Sequence, residues 1–210
     1  MNDIHFEASR EKWLRFFWLK TAAVRDGVKP AELLRVRHCY ETWTPDGRPD
    51  SLAREEIFAV LKLDCRVLCT NSVSSLVLFY RKERLEKTLS GPEERSFLAQ
   101  YGYSAGGTLE DFFVSLQGRC GTGNIPHEVG IFIGYPVKDV AGFIGRLPRT
   151  PVRNGNWQVF GDASESLFLM NLYRQAERIA SDILDACGNL QIFFDQISKG
   201  NPNNRSIANG

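Results

Sequence analysis

The chain has 210 residues, 43% of them hydrophobic and 24% charged, which are the proportions of an ordinary globular protein. Fourteen Phe and four Trp exclude a chain that is disordered throughout. Lys and Arg number 26 against 25 Asp and Glu, so the net charge is +1. This excludes a broadly basic nucleic-acid surface, whose affinity grows with the number of phosphates that Lys and Arg neutralise.

In chain order, residues 9–24 predict a helix, with Trp13, Phe16 and Phe17 at helical spacing and Gly27 as its stop. Arg10, Lys12, Arg15 and Lys20 among these aromatics suit an amphipathic surface helix, although packing on a core is the commoner fate of such a stripe. Pro30 predicts the first turn of a second short helix over residues 31–36. Residues 44–50 read as a polar loop, and Ser51 as the cap of a following helix. Residues 65–70 and 75–80 predict two strands joined by a hairpin at Asn71, and the second, apolar throughout, is expected to be buried on both faces. Helices follow over residues 81–89, from Pro92 to about Tyr101, and after Thr108, which Asp111 completes as a capping arrangement.

Residues 121–124 read as a turn, and 127–134 as a buried strand. Pro136 starts a helix over 137–146, and 156–160 form a second short strand. Strand, helix and strand in that order predict a right-handed parallel crossover. A long helix over 164–187 and another over 190–197 are separated by Gly188. The expected fold is mixed α/β: a small mixed sheet with a hairpin and a β-α-β unit, packed by helices, with an N-terminal helical layer. Residues 1–197 form one domain, and 198–210, rich in Asn, Gly and Ser, a disordered tail.

Met1-Asn2-Asp3-Ile4-His5 has an early acid and no apolar core, unlike a secretory signal. The longest apolar runs, 76–80 and 129–133, are too short to span a bilayer. Five Cys, an odd count, then point to reduced thiols and a cytoplasmic location. Cys65 and Cys69 would lie on one side of a strand, roughly 13 Å apart and too far for one metal. Cys120, beside Gly121, is expected to be the most exposed thiol.

The segment Pro-His-Glu-Val-Gly-Ile-Phe-Ile-Gly-Tyr-Pro-Val-Lys-Asp-Val over 126–140 resembles the signature of a bacterial family known as domain of unknown function 3793. Residues 27–33, 78–81, 97–103 and 155–162, the last reading Gly-Asn-Trp-Gln-Val-Phe-Gly-Asp, resemble further elements of that family in the same order. The resemblance extends from about Trp13 to Tyr173. It implies no cofactor and no mechanism, because the family has no established activity. The flavodoxin and iron-uptake genes that accompany the family imply one alternative role, that of a redox- or iron-linked partner protein.

Within that signature, His127 beside Glu128 is the candidate acid/base or metal-ligand pair. Neighbouring strand residues point to opposite faces, so the two share a site only where the strand start is irregular, and local structural roles are the alternative. Gly134-Tyr135-Pro136 falls where a strand passes into a helix, the crevice in which open α/β sheets bind ligands. Helix N–H groups there, with Lys138, would hold a carboxylate or phosphate, and Tyr135 and Asp162 would share the edge. A tight turn at Gly134 and an N-cap at Asp162 are the structural alternatives. There is no complete Gly-x-Gly-x-x-Gly or Walker pattern, so no nucleotide site is assigned, and no metal site either.

The expectation is a cytoplasmic, non-catalytic accessory or small-ligand-binding protein. Its partner would be a small anionic molecule or another protein, with no general nucleic-acid binding and no transmembrane segment. The alternative is an enzyme acting on a small anionic molecule at 134–136, with His127 as acid/base.

Overall fold

The structure, a computed structural model, describes residues 3–37, 60–120, 125–145 and 150–199. The loop and cap expected over 44–51, the turn at 121–124 and the tail beyond residue 199 lie outside the described residues. Helix α1 (Asp3–Lys20) passes into α2 (Ala22–Arg25) with a break at Thr21. The Thr21 hydroxyl donates to the Phe17 carbonyl at 2.7 Å, the backward bond that bends helices. Trp13, Leu14, Phe17 and Trp18 are buried, so the aromatic stripe serves the core, and Phe16 alone of these aromatics stays exposed at 40%. Gly27 adopts φ +74°, a left-handed turn open to glycine, and reverses the chain.

The chain then enters strand β1 (Ala31–Arg37), where a helix was predicted. Two local facts favour the strand. Lys29 precedes Pro30 and is pushed away from the helical region. Leu34 and Val36 alternate with Leu33 and Arg35, so one row of side chains faces each way. Tertiary pairing completes the choice, because β1 pairs antiparallel with the apolar strand β3 (Ser74–Tyr80) along its whole length. Strand β2 (Asp64–Thr70) pairs antiparallel with β3 on the other side, giving the order β1-β3-β2. The hairpin was predicted, and Asn71 closes it by accepting from the Val73 and Ser74 N–H groups at 2.9 and 2.8 Å.

The sheet divides two cores. Leu34, Val36, Val77 and Phe79 pack with Trp13, Phe17, Tyr173 and Leu184 on one face. Ala31, Leu76 and Leu78 pack with Leu85, Leu98, Phe113 and Phe132 on the other. Burial on both faces explains the unbroken apolar run of β3. A register shift between Val67 and Cys69 marks a bulge in β2. It sends Cys65 to the first core and Cys69 to the second, so the two thiols do not share a side as simple alternation predicts. Cys120, expected to be exposed, is fully buried, and burial pushes its thiol up to about 11.

The second core is built from α3 (Lys82–Leu89), α4 (Pro92–Ala99) and α5 (Leu109–Cys120). Thr108 and Asp111 form the predicted reciprocal cap of α5. The chain next forms a single helical turn, α6 (Val129–Phe132), where a strand was predicted. A four-residue apolar run fits a buried strand and a buried helical turn equally well by periodicity. Here Val129, Gly130 and Ile131 donate to the carbonyls of Pro126, His127 and Glu128, and all four residues of α6 are buried among helices. Helix α7 (Val137–Phe143) follows from Pro136 as expected. Strands β4 (Arg153–Asn154) and β5 (Gln158–Val159) pair with each other, antiparallel. The mixed α/β class holds, but among the described residues both sheets are antiparallel and the expected β-α-β crossover is not formed.

Helix α8 (Ser164–Ala186) closes the first core with Tyr173, Ala176, Ala180 and Leu184, spaced three or four apart. Ile179, on the same helix, is 47% exposed. Helix α9 (Leu190–Ser198) starts at Asn189, whose side chain accepts from the Ile192 N–H. Among the described residues no helix is long and apolar enough to cross a membrane.

Candidate functional site

Tyr135 and Trp157 stack with ring centroids 4.2 Å apart and planes 22° from parallel. This pair stands between two cavities and lines both. The larger is an open cleft of about 850 Å³, walled by Ile133, Val140 and Phe143, with His127 and Arg35 beside it. Its volume falls in the range that holds a metabolite-sized ligand. The smaller cavity, about 170 Å³, contains Lys29, Glu32 and Tyr173.

One buried carboxylate holds this arrangement together. Asp139 is 1% exposed. It accepts from Lys138 Nζ at 2.8 Å, the Phe160 N–H at 2.8 Å, Trp157 Nε1 at 2.8 Å and Ser166 Oγ at 2.6 Å. Helix α7 is thereby tied to the end of β5 and to α8, and the indole is held against Tyr135. Burial pushes the Asp139 carboxyl up, but the four donors outweigh it and hold the group below its ordinary value. Neighbouring Gly134 has φ +81°, and a side chain there would meet the Pro30 ring at 2.6 Å and the Tyr173 hydroxyl at 2.9 Å. The Tyr173 hydroxyl donates to the Gly134 carbonyl at 3.1 Å.

The residues singled out from sequence separate into different roles. His127 is exposed, lies at the cleft and sets its ring edge-on to Phe143 at 5.0 Å. Glu128 is 2% exposed and points elsewhere, paired with Arg119 and accepting from Tyr103 at 3.4 Å. The two therefore do not form one acid/base pair. Tyr135 lines the cleft, and burial together with the charge of Glu32 pushes its phenol up to about 12. Lys138 donates to Asp139, to the Phe160 carbonyl at 3.2 Å and to Ser166 Oγ at 2.7 Å, which occupies all three of its protons. Asp162 accepts from the Ser164 N–H and hydroxyl at 3.2 and 2.9 Å, at the start of α8. Gly134, Lys138 and Asp162 do not line the cleft. The parallel-strand edge invoked for them is absent, because residues 129–132 are helical. Among the described residues no three His, Cys, Asp or Glu side chains cluster to hold a metal.

A helix over residues 31–36 does not bring Glu32 and Arg35 to a site, and Lys29 lies just before that segment. Taken as a strand, residues 31–36 place the Glu32 carboxylate on the same row as Leu34 and Val36, and an acid on a core-facing row is the informative kind of exception. Replacing His127 with Ala is expected to change stability by no more than about 0.5 kcal/mol, as for an exposed residue whose main contact is one exposed ring. Urea unfolding measures this, and a larger loss would place His127 in the packing.

Residues 27–33, 126–140 and 155–162, far apart in the chain, meet around the Tyr135–Trp157 stack. No curated protein and no solved structure matches the chain. A family model described as a protein of unknown function (DUF3793) matches residues 18–192, which include all of these segments, and the chain belongs to that family.

Proposed function

We propose that this protein binds a small ligand without transforming it, and that the ligand occupies the cleft of about 850 Å³ beside the Tyr135–Trp157 stack. The cleft itself carries this reading: a concave, largely apolar surface with a few polar groups at its margin is the usual form of a small-molecule site. Ile133, Val140 and Phe143 suit an apolar body. Arg35 is exposed and donates to Ser74 Oγ at 3.3 Å, and among the described residues no carboxylate pairs with it. It suits an anionic group on the ligand. Binding is favoured over catalysis because Glu128 and Lys138 are committed within the fold. The enzymatic alternative rests on His127, the remaining acid/base candidate at the cleft.

Native mass spectrometry of the purified full chain is expected to show a retained small anion. Arg35→Ala and Phe143→Asp, both at exposed positions, are expected to lower its occupancy about tenfold or more, the scale of one lost charge-assisted contact. Full retention in both variants would remove the ligand from this cleft.

A further inference from the structure

Behind the Tyr135–Trp157 stack, the smaller cavity holds a charged group with unused bonding capacity. The Lys29 side chain is 7% exposed, and its ammonium donates to Glu32 Oε2 at 2.7 Å. Among the described residues this is its one hydrogen bond, so two of its three N–H donors have no protein acceptor. The ring centroids of Tyr173 and Tyr135 lie 5.2 and 5.9 Å from the ammonium, close enough to attract the charge but not to replace two acceptors. A buried donor left unmatched is expensive, so the cavity is built for something that accepts. At about 30 Å³ per water its volume of about 170 Å³ has room for roughly six non-hydrogen atoms.

Charge narrows the choice. Lys29 and Glu32, 7% and 22% exposed, line the cavity, and Lys20 pairs with Glu177 at 2.9 Å, with both of these latter side chains about half exposed. Two lysines and two glutamates give the lining no net charge. A bare anion would bring a second negative charge beside Glu32, and a bare cation a second positive charge beside Lys29. A zwitterion brings one charge to each. We propose that this cavity binds a small free α-amino acid, its carboxylate on the free donors of Lys29 and its ammonium against Glu32 and the aromatic wall. The site goes beyond the cleft reading, since Lys29, Glu32, Lys20, Glu177 and Tyr173 do not line the cleft.

Isothermal titration of the full chain with glycine, L-alanine and L-serine tests this, with acetate and ethylamine as half-ligands. At least one amino acid is expected to bind, with both half-ligands weaker by about tenfold or more. Lys29→Met is expected to weaken amino-acid binding by a similar factor. Lys29 is buried, so Glu32→Gln provides a variant of nearly unchanged shape. It leaves Lys29 uncompensated, and is expected to weaken glycine binding while strengthening acetate binding, a reversal that loss of packing would not produce. Arg35→Ala and Phe143→Asp are expected to leave amino-acid affinity unchanged. The inference is overturned by any of three results: no amino acid binds, acetate binds as tightly as glycine, or Glu32→Gln changes neither affinity. If the two cleft variants abolish amino-acid binding, the ligand lies in the cleft, and this inference fails while the cleft reading stands.

Discussion

Asp139→Ala is expected to destabilise the protein by about 3 kcal/mol, measured by urea unfolding. The substitution removes one acceptor from each of four donors, and two of these, the Phe160 N–H and the Ser166 hydroxyl, are buried. Removing one partner of a buried ion pair costs about 3–5 kcal/mol. The lower end applies here, because the Lys138 side chain is 29% exposed and reaches water once its partner is gone. Asparagine would not rescue the loss, since its amide would turn a donor toward donors. The sign of the pH dependence follows from the lowered carboxyl. Asp139 stabilises the fold fully above the ordinary carboxyl value of 3.8, and this contribution fades as pH falls through the lower folded value. The gap between wild type and Asp139→Ala should therefore be constant near neutrality and narrow below about pH 4. A loss under about 1 kcal/mol would mean that the network does not hold α7 to α8. The variant should also loosen Trp157 and weaken any ligand in the cleft, because the indole is fixed by Asp139.

Gly134→Ala combines two penalties. Positive φ costs a non-glycine residue about 1 kcal/mol, and overpacking against Pro30 and Tyr173 adds about 1–3 kcal/mol. The expected total of about 2–4 kcal/mol lowers the thermal midpoint by roughly 4–16 °C for a chain of this size. Gly27→Ala is the internal control. Gly27 has φ +74°, but a side chain there meets nothing within 4 Å, so only the backbone penalty applies. Differential scanning calorimetry of both variants separates the two contributions. Equal midpoints would show that the close approach of Pro30 to Gly134 contributes nothing.

Much of the chain was legible where local physics and burial agree. The hairpin at Asn71, the cap of Thr108 with Asp111, the start of α7 at Pro136 and the length of α8 each follow from residues close in sequence. Reading failed where a short apolar segment has two acceptable conformations. Residues 31–36 and 129–132 each carry enough apolar side chains to be buried either way, and only the neighbour available in space selects one. The candidate site was partly legible for the same reason. His127 and Tyr135 do reach a cleft, yet Glu128 does not join His127 there, and among the described residues the parallel-strand edge expected beside Tyr135 is not formed. Lys138 and Asp162 looked available because sequence does not display the acceptors and donors that occupy them.

By itself, the sequence determined the mixed α/β class, most of the helices, the apolar central strand, the family and a nearly balanced charge. These depend on composition and short-range spacing, which any stretch of chain carries with it. Only the tertiary structure decided that the small sheets are antiparallel, that Glu128 and Lys138 are internal partners, and that Lys29, Tyr135, Trp157 and Tyr173 meet around one stacked pair. Those facts depend on contacts between residues that are not neighbours in the chain, from Arg119 with Glu128 to Lys29 with Tyr173, and a hydrogen bond or a stacked ring exists only once both partners have been placed.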